Sequence, residues 1–469
     1  MTHKSGKAQT IWTLAVTSLA LFMVSLDNLV VTNALPVIRR ELHASISQLE
    51  WTVNAYTLTF AVLLLTGAAL GDRFGRRRMF VLGLLLFTAA SAAAALSTTA
   101  TELDVARALQ GVGGAIVTPL TLTILSAAVP AERRGLALGI WGGIGGLAVA
   151  LGPLVGGAIV DGVSWHWIFW LNVPIGLLLA PVAWSRLAES HGGDRALDLP
   201  GLGRASTGLL GIVWGLVRGN SVGWGSLEIV APIAVGALLV AAFVAWELRT
   251  RSPMLPMQYF GDRTFALTNV ASLFMFFGMF GSIFLLAQFF QTVQHYSPLQ
   301  SGLRILPWTA MPMFIAPVAG ALSDRIGGHR LMAAGLALQA GGLLWIAAIS
   351  TATTPYTSLV GPFMLSGVGM ALFFAPVANV VLSSVRPEHE GKASGANNAI
   401  RELGGVFGVA VLAAVFSRVG GYADAASFTH GMQVAVYIGG ALVAAGALAA
   451  SLIKPRTLAA PEVAVAEAS

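Results

Sequence analysis

Fourteen apolar segments, each long enough to cross a lipid bilayer, follow one another along this chain of 469 residues. Soluble domains carry about 25% charged residues. This chain has 10% charged and 56% hydrophobic residues, which argues against a water-soluble fold. We therefore expect an all-α integral membrane protein with fourteen transmembrane helices, here numbered segments 1 to 14. They cover approximately residues 11–35, 50–70, 79–98, 103–128, 135–160, 167–185, 199–217, 227–247, 264–290, 302–322, 331–350, 358–382, 393–416 and 431–453.

The positions of the basic residues predict how these segments are oriented. With the N-terminus inside, 20 of the 27 Lys and Arg residues fall in inside loops and 4 in outside loops. Cytoplasmic loops of membrane proteins are enriched in Lys and Arg, so we expect both termini in the cytoplasm and the chain in the cytoplasmic membrane. The same count supports segment 7, which Arg204 interrupts. The basic residues thus follow topology, and we expect no nucleic-acid partner.

A basic turn occurs twice, at Leu70–Arg78 and, 252 positions later, at Leu322–Arg330. A repeat over this distance predicts two equivalent halves within one membrane-embedded chain. Segments 7 and 8 lie between the halves and have no partner in the repeat. The predicted organisation is a six-helix bundle over 1–185, a linker with two additional transmembrane helices over 186–263, a second six-helix bundle over 264–454, and a cytoplasmic tail over 455–469.

Two charged residues lie at matching depths inside the first half. Asp27 is about 12 Å from the outer end of segment 1, and Arg107 is about 9 Å into segment 4, at 1.5 Å per residue. A lone charge within a membrane is costly, so we expect the two to face one another or to share a water-filled cavity. A carboxylate whose distance to an Arg changes with conformation can carry a proton. The alternative is a static ion pair that fixes helix packing.

Segment 13 carries a second charged position, Arg401 and Glu402, about 14 Å deep. Adjacent residues on a helix point in different directions, so we expect no direct pair between them. At i, i+4 spacing we expect Asn397 to reach Arg401 and Asn398 to reach Glu402, which gives a polar stripe along the segment. Glu402 is a candidate second proton site or an anion that attracts cationic substrates. Alternatively, it lies at the membrane interface or bonds a neighbouring helix.

Segment 5 contains Gly152, Pro153, Gly156 and Gly157. Glycines four residues apart let a neighbouring helix approach closely, and Pro153 removes a helix hydrogen bond and bends the axis. Between two moving bundles this pattern predicts a sliding hinge, and the alternative is ordinary close packing.

Polar, aromatic and Met side chains within other segments are candidates for lining a substrate cavity. Segment 9 is also rich in Phe and Met, which suits a broad apolar pocket. The cavity candidates are Asn54, Tyr56, Gln288, Gln291, Trp308, Met311, Asn397 and Asn398.

Several of these stretches resemble sequence signatures of the major facilitator superfamily. The basic turn resembles its cytoplasmic loop signature, the run around Arg107 resembles a second signature, and the glycines of segment 5 resemble the signature of its antiporters. Further stretches are similar to patterns of its fourteen-span drug:proton antiporter branch, and they are Leu26–Pro36, Trp51–Tyr56, Ser164–Gly176 and Arg401–Ala410.

The resemblance implies the major facilitator fold, with two six-helix bundles plus two linker helices. It also implies that the Arg of the second signature takes part in proton transfer. In this family the Asp and Arg residues of the basic turns brace the two halves on the cytoplasmic side. The corresponding gate residues are Asp72, Arg73, Gly75, Arg76, Asp324 and Arg325.

The resulting expectation is proton-coupled efflux of amphipathic, cationic or aromatic drugs or antibiotics by alternating access. The partners would be the bilayer, the drug and protons, and the chain would act as a monomer. No cofactor is expected besides the proton gradient, because the Gly-rich runs lack the Lys-Ser/Thr of a phosphate loop. No metal site or catalytic nucleophile is expected either. The alternatives are export of one self-made antibiotic or metabolite, a non-transporting membrane sensor, and a membrane enzyme.

Overall fold

The computed structural model describes residues 2–129, 131–191, 198–385 and 390–453. The predicted tail at 455–469 lies outside these residues. The first seven helices are α1 Thr2–Glu41, α2 Ile46–Phe74, α3 Arg76–Ala95, α4 Ala100–Ala128, α5 Ala131–Gly162, α6 Trp167–Trp170 and α7 Asn172–Arg186. Two helices follow, α8 Leu199–Val222 and α9 Leu227–Glu247, and then a 3-10 turn at Met257–Gly261. The last seven are α10 Arg263–Thr292, α11 Pro298–Thr309, α12 Met311–Ile326, α13 Gly328–Ile349, α14 Tyr356–Ser383, α15 Glu390–Val419 and α16 Ala425–Ser451.

All fourteen expected segments are helical, although two of them are divided. Segment 6 consists of α6 and α7, and segment 10 of α11 and α12. Within the described residues, ten helices are long and apolar enough to cross a membrane. The bent pair Ile46–Leu64 and Thr66–Phe74, at 51°, makes an eleventh. The chain is thus an all-helical, multi-pass membrane protein, and the count of fourteen crossings stays a prediction.

The internal repeat is visible in the backbone geometry. His43 and His295, which lie 252 positions apart, both have positive φ, at 50° and 55°. Gly75 and Gly327, also 252 apart, have φ of 105° and 91°, a conformation that glycine adopts without strain. Capping boxes at Ser45 and Ser297 begin α2 and α11 at the same interval. The turn repeat found in the sequence therefore corresponds to a repeat of structure.

The helices pack as two bundles in corresponding patterns. In the first bundle (α1–α7), α4 packs against α2 and α3, and α1 packs against α5. In the second (α10–α16), α14 packs against α12 and α13, and α10 packs against α15. The bundles meet along two seams, one between α5 and α11 and the other between α2 and α15.

The additional helices α8 and α9 pack against each other, and α8 lies along the seam between α2 and α15. Ala205, Val213 and Val217 of α8 form one apolar cluster with residues of both bundles, Leu58 and Val62 of α2 and Val406 and Ala410 of α15. The Asn220 amide also donates to the Ala414 carbonyl of α15. In contrast, α9 leaves much of its apolar surface exposed, including Leu227 and Leu238, as expected for a lipid-facing helix.

Contacts between the bundles are concentrated at the end where α1 passes into α2, here called the Arg39 end. The Arg39 guanidinium lies 3.6 Å from the ring centroid of Tyr422, a stacking contact that favours both groups. Ser297 donates to Asp161, with Oγ 2.9 Å from Oδ2. The Gln291 amide donates to the Asn33 carbonyl at 2.9 Å. This end of the interface between the bundles is therefore closed.

We predict that bulk on the α5 face at position 157 opens the Arg39 end. A side chain at Gly157 would overlap the backbone of Pro298 and Leu299 in the second bundle. Because the chain has no cysteine, an Asp161→Cys/Ser297→Cys pair gives a specific cross-linking signal. Adding Gly157→Leu should lower the yield of cross-linked protein several-fold. Gly320→Leu is the matched control, since a Cβ there meets nothing within 4 Å. Equal yields in the two variants would contradict the prediction.

Candidate functional site

Asp27 and Arg107 form a buried ion pair in the interior of the first bundle. Arg107 Nη1 lies 2.5 Å from Asp27 Oδ2, and neither side chain is exposed to solvent. The contact expected from their matching depths is thus confirmed. Whether the pair carries protons or only fixes the packing is a separate matter, and the roles of both residues stay predictions.

The Asp27 carboxylate accepts from two further side chains. Asn172 Nδ2 lies 2.6 Å and Gln110 Nε2 lies 3.2 Å from Oδ1. Both amides also reach Ser91 Oγ, at 3.4 Å and 2.8 Å. Helices α1, α3, α4 and α7 therefore meet in one hydrogen-bonded network. Together with Arg107, three side-chain donors therefore converge on one carboxylate.

Arg107 is held from the side of α2. Its Nε donates to the Thr52 carbonyl at 3.1 Å, and the Tyr56 ring centroid lies 4.3 Å from its guanidinium carbon. A Cβ at Gly111 would overlap the backbone of Tyr56, and a Cβ at Gly114 would lie 3.2 Å from the Tyr56 hydroxyl. The two glycines therefore allow α2 to approach α4 closely enough for the ring to cover the guanidinium.

The break between α6 and α7 positions the amide that binds Asp27 most closely. Asn172 is the first residue of α7, and its side chain is buried. Sequence reasoning did not assign Gln110, Asn172 or Ser91 to the site. Their signal was present, because each is a polar residue within an apolar segment, a criterion that had selected the candidate cavity residues.

In the second bundle, Arg401 and Glu402 do not form an ion pair within the described residues. Arg401 Nη1 donates to Asn398 Oδ1 at 3.1 Å, and its guanidinium stacks on Phe276 and Phe374. The Oε2 atom of Glu402 is buried and accepts no hydrogen bond from any described residue. Glu402 lies on α15, the helix of the second bundle that packs against α2 of the first bundle.

The polar side chains of segment 13 make different contacts in the structure from those expected. Asn397 does not reach Arg401, and its amide donates to Asn269 and Ser272 of α10, both at 3.0 Å. Asn398 contacts Arg401 rather than Glu402. The predicted contacts of Asn397 with Arg401 and of Asn398 with Glu402 were therefore wrong. The physical reason is that buried polar groups on α10 offer Asn397 better-placed partners than its own helix does.

The glycines of segment 5 contact two neighbouring helices, α1 and α11. A Cβ at Gly152 would lie 2.6 Å from Leu29 Cβ, and one at Gly156 would lie 2.6 Å from the Val30 carbonyl, both on α1. Gly157 instead touches Pro298 and Leu299 across the seam. The Pro153 carbonyl accepts from Asn33 Nδ2 at 2.6 Å. Helix α5 therefore lies in close contact with α1 and α11 at once, and the hinge role stays a prediction.

The first basic turn is tied to its own bundle. Arg76 pairs with Asp72 at 2.8 Å across Gly75, and its backbone amide donates to the Ser190 carbonyl. Arg73 is exposed. In the second turn Arg325 is exposed, and the side chain of Asp324 lies outside the described residues. Bracing of the two halves by these residues stays a prediction.

The expected cavity residues are mostly buried. Asn54, Tyr56, Gln288, Trp308 and Asn397 are each no more than 5% exposed. Gln288 accepts a hydrogen bond from the Tyr422 hydroxyl. Trp308 lies at the position equivalent to Tyr56 in the 252-residue repeat and stacks on Phe363. Three of the candidates are partly exposed, namely Gln291, Met311 and Asn398. Contact of any of these residues with a substrate stays a prediction.

Comparison with known proteins agrees with this architecture. The model of the Major Facilitator Superfamily matches residues 17–409 and 273–467. The solved structure of a D-xylose–proton symporter has a similar fold, with a TM-score of 0.67, 17% identity and coverage of 95% of this chain and 98% of that one. The chain belongs to the major facilitator superfamily, a family of membrane transporters and not of enzymes.

Curated relatives include proteins named for resistance and export. The tetracenomycin C resistance and export protein of Streptomyces glaucescens is 34% identical over 89% of this chain and 78% of its own length. The multidrug resistance protein Stp of Mycobacterium tuberculosis is 36% identical over 86% and 75%. The cephamycin export protein CmcT of Amycolatopsis lactamdurans is 36% identical over 88% and 86%.

We predict that Arg107→Gln destabilises the protein more than the double variant Asp27→Asn/Arg107→Gln does. The single change leaves a buried carboxylate without its cation, which costs about 3–5 kcal/mol. The double variant leaves two neutral amides that can bond each other. Thermal unfolding of the purified protein in detergent measures both. A double variant less stable than Arg107→Gln would show that the charges are not coupled.

Proposed function

We propose that this protein exports amphipathic, cationic or aromatic drugs or antibiotics across the cytoplasmic membrane in exchange for protons, by alternating access. The names of its relatives support drug or antibiotic export as the class of activity. The observation that carries the proton coupling is the Asp27–Arg107 pair, an ionisable pair enclosed within a membrane-spanning bundle.

Asp27 is suited to proton exchange because its charge depends on donors from two other helices, α4 and α7. While Arg107, Asn172 and Gln110 hold the carboxylate, a proton gains little by binding. Movement of α4 or α7 away from α1 removes these donors and favours protonation. Return of the donors then releases the proton. In this proposal the static network seen here is the deprotonated state of the carrier.

Glu402 is the proposed second acidic group, and it acts in substrate selection or in a second proton exchange. A buried carboxylate oxygen without a donor among the described residues favours a cationic partner. Its helix, α15, packs against α2 of the first bundle. A cation bound between Glu402 and α2 would therefore contact both bundles.

The proposed orientation places both termini in the cytoplasm and the Arg39 end outside, with fourteen crossings and a monomeric chain. The excess of Lys and Arg in the predicted inside loops supports it. With this orientation the closed Arg39 end corresponds to a conformation that faces inward. In the proposed cycle, α5 slides on α1 and α11 through Gly152, Gly156 and Gly157. The basic turns at Asp72 and Asp324 then close the cytoplasmic end.

A second candidate is export of one dedicated compound. Two relatives carry the name of a single antibiotic, tetracenomycin C in one and cephamycin in the other. A dedicated exporter would use the same coupling site, so the breadth of accepted compounds discriminates between the two candidates.

We predict that drugs release protons through this protein and that Asp27→Asn abolishes the release. Inverted membrane vesicles with an acidified interior are treated with cationic dyes and diverse antibiotics, and loss of the gradient is measured. The variant keeps the size of the side chain but cannot ionise, so drug-dependent release should vanish while the protein stays in the membrane. Glu228→Gln, which removes an exposed carboxylate of the linker, should behave as the wild type.

Each result of this assay has one meaning. Release by many compounds supports multidrug antiport, and release by a single compound supports the dedicated exporter. Full activity of Asp27→Asn would exclude Asp27 as the coupling group. No release by any compound in the wild type would contradict the proposed function.

We predict that Glu402→Gln weakens transport of cationic compounds and spares neutral ones. Removal of the carboxylate removes the attraction for a cation, so KM for cationic dyes should rise about tenfold, the effect of an interaction of about 1.4 kcal/mol. Uptake into inverted vesicles measures this for a matched cationic and neutral pair of dyes. An equal loss for both would assign Glu402 to proton exchange instead.

A further inference from the structure

A cavity of about 550 Å³ lies at the opposite end of the second bundle from Tyr422, and its lining carries three cationic or titratable basic side chains. Arg263 comes from the first residue of α10, and His329 and Arg330 come from the first turn of α13. Ser451 and Leu452, at the end of α16, complete the wall together with Ala333. None of these residues belongs to the site proposed for transport.

The basic groups of this cavity are not neutralised within the described residues. Arg263, His329 and Arg330 form no side-chain hydrogen bond or ion pair there. The neighbouring acid, Asp262, accepts from the Phe265 amide at 3.0 Å and caps α10. Two helices, α10 and α13, also begin at the cavity, and helix N-termini favour anions. Charge and helix geometry therefore both favour an anionic ligand.

The position of the cavity indicates where that anion comes from. Arg263, Gly328 and Ser451 each stand at the end of a membrane-spanning helix, so the cavity lies at the level of the membrane surface. Leu452, 53% exposed, and Ala333 supply an apolar wall beside the cations. A ligand with an anionic head and an apolar tail matches both parts of this lining.

We propose that this cavity binds the phosphate of an anionic phospholipid. The two guanidinium groups match the phosphate oxygens in geometry and charge, and His329 adds a hydrogen-bond donor. The acyl chains lie along Leu452 and the surface between α13 and α16. Basic pockets between transmembrane helices are suited to such head groups. The bound lipid would join the start of α10 to the start of α13 and the end of α16.

The test uses the purified full-length protein and native mass spectrometry with phosphatidylglycerol and phosphatidylcholine of equal chain length. The wild type should retain phosphatidylglycerol in preference. Arg263→Gln/Arg330→Gln should lower its retention about tenfold, since each cation contributes to attraction of an anionic head group. Arg263→Lys/Arg330→Lys should retain most of the binding, which separates loss of charge from loss of fold.

The matched control is Arg249→Gln/Arg251→Gln. It removes the same charge from two exposed residues in the loop after α9, and it should bind phosphatidylglycerol as the wild type does. Equal retention by the two glutamine variants would overturn the proposal. If inorganic phosphate alone stabilises the wild type against heat as much as phosphatidylglycerol does, the site takes free phosphate and the lipid assignment is wrong. Neither result bears on drug-dependent proton release, so this proposal stands or fails separately.

Discussion

The ion pair between Asp27 and Arg107 constrains the whole first bundle. Two opposite charges without solvent exposure are tolerable in a membrane only when further hydrogen bonds support their pairing. This requirement explains why Asn172 begins a helix at that depth, why Gln110 follows Arg107 by one turn, and why Gly111 and Gly114 admit the Tyr56 ring. The ion pair thus constrains the packing of five helices, α1, α2, α3, α4 and α7. Any movement of one of them changes the environment of Asp27.

The second bundle repeats the backbone of the first but not this centre. His43 and His295, Gly75 and Gly327, and the two capping boxes share one interval of 252 residues. At the same interval, however, Trp308 replaces Tyr56, and it stacks on Phe363 instead of covering a cation. The acidic group of the second bundle lies on α15, close to the other bundle. The two bundles therefore share a backbone arrangement but differ in the positions of their charged residues. The two halves can thus bind different partners while they move in similar ways.

The sequence predicted the parts of this molecule that depend on local pattern. The length of the apolar segments predicted the helices, and the repeated turn predicted the two halves. The matching depths of Asp27 and Arg107 predicted their contact. It did not predict which neighbour a polar side chain would choose. Asn397 donates to α10, and Gln110 and Asn172 donate to Asp27. The sequence did not predict these partners, because they depend on contacts between helices that are distant in the chain. The closed Arg39 end was equally inaccessible, since Arg39 and Tyr422 come from different bundles. Pairing across a seam requires the relative position of two rigid units, which no local pattern contains.

The placement of α8 makes the two seams unequal with respect to the surrounding lipid. Along α2 and α15, the cluster around Val213 and the Asn220 contact form a wall between the seam and the hydrocarbon. A hydrophobic solute dissolved in the bilayer therefore meets protein on that flank. The seam between α5 and α11 is packed closely through Gly157, and within the described residues α8 is not packed against it. The two additional helices thus make the lipid-facing surroundings of the two seams different, although the bundles themselves repeat each other.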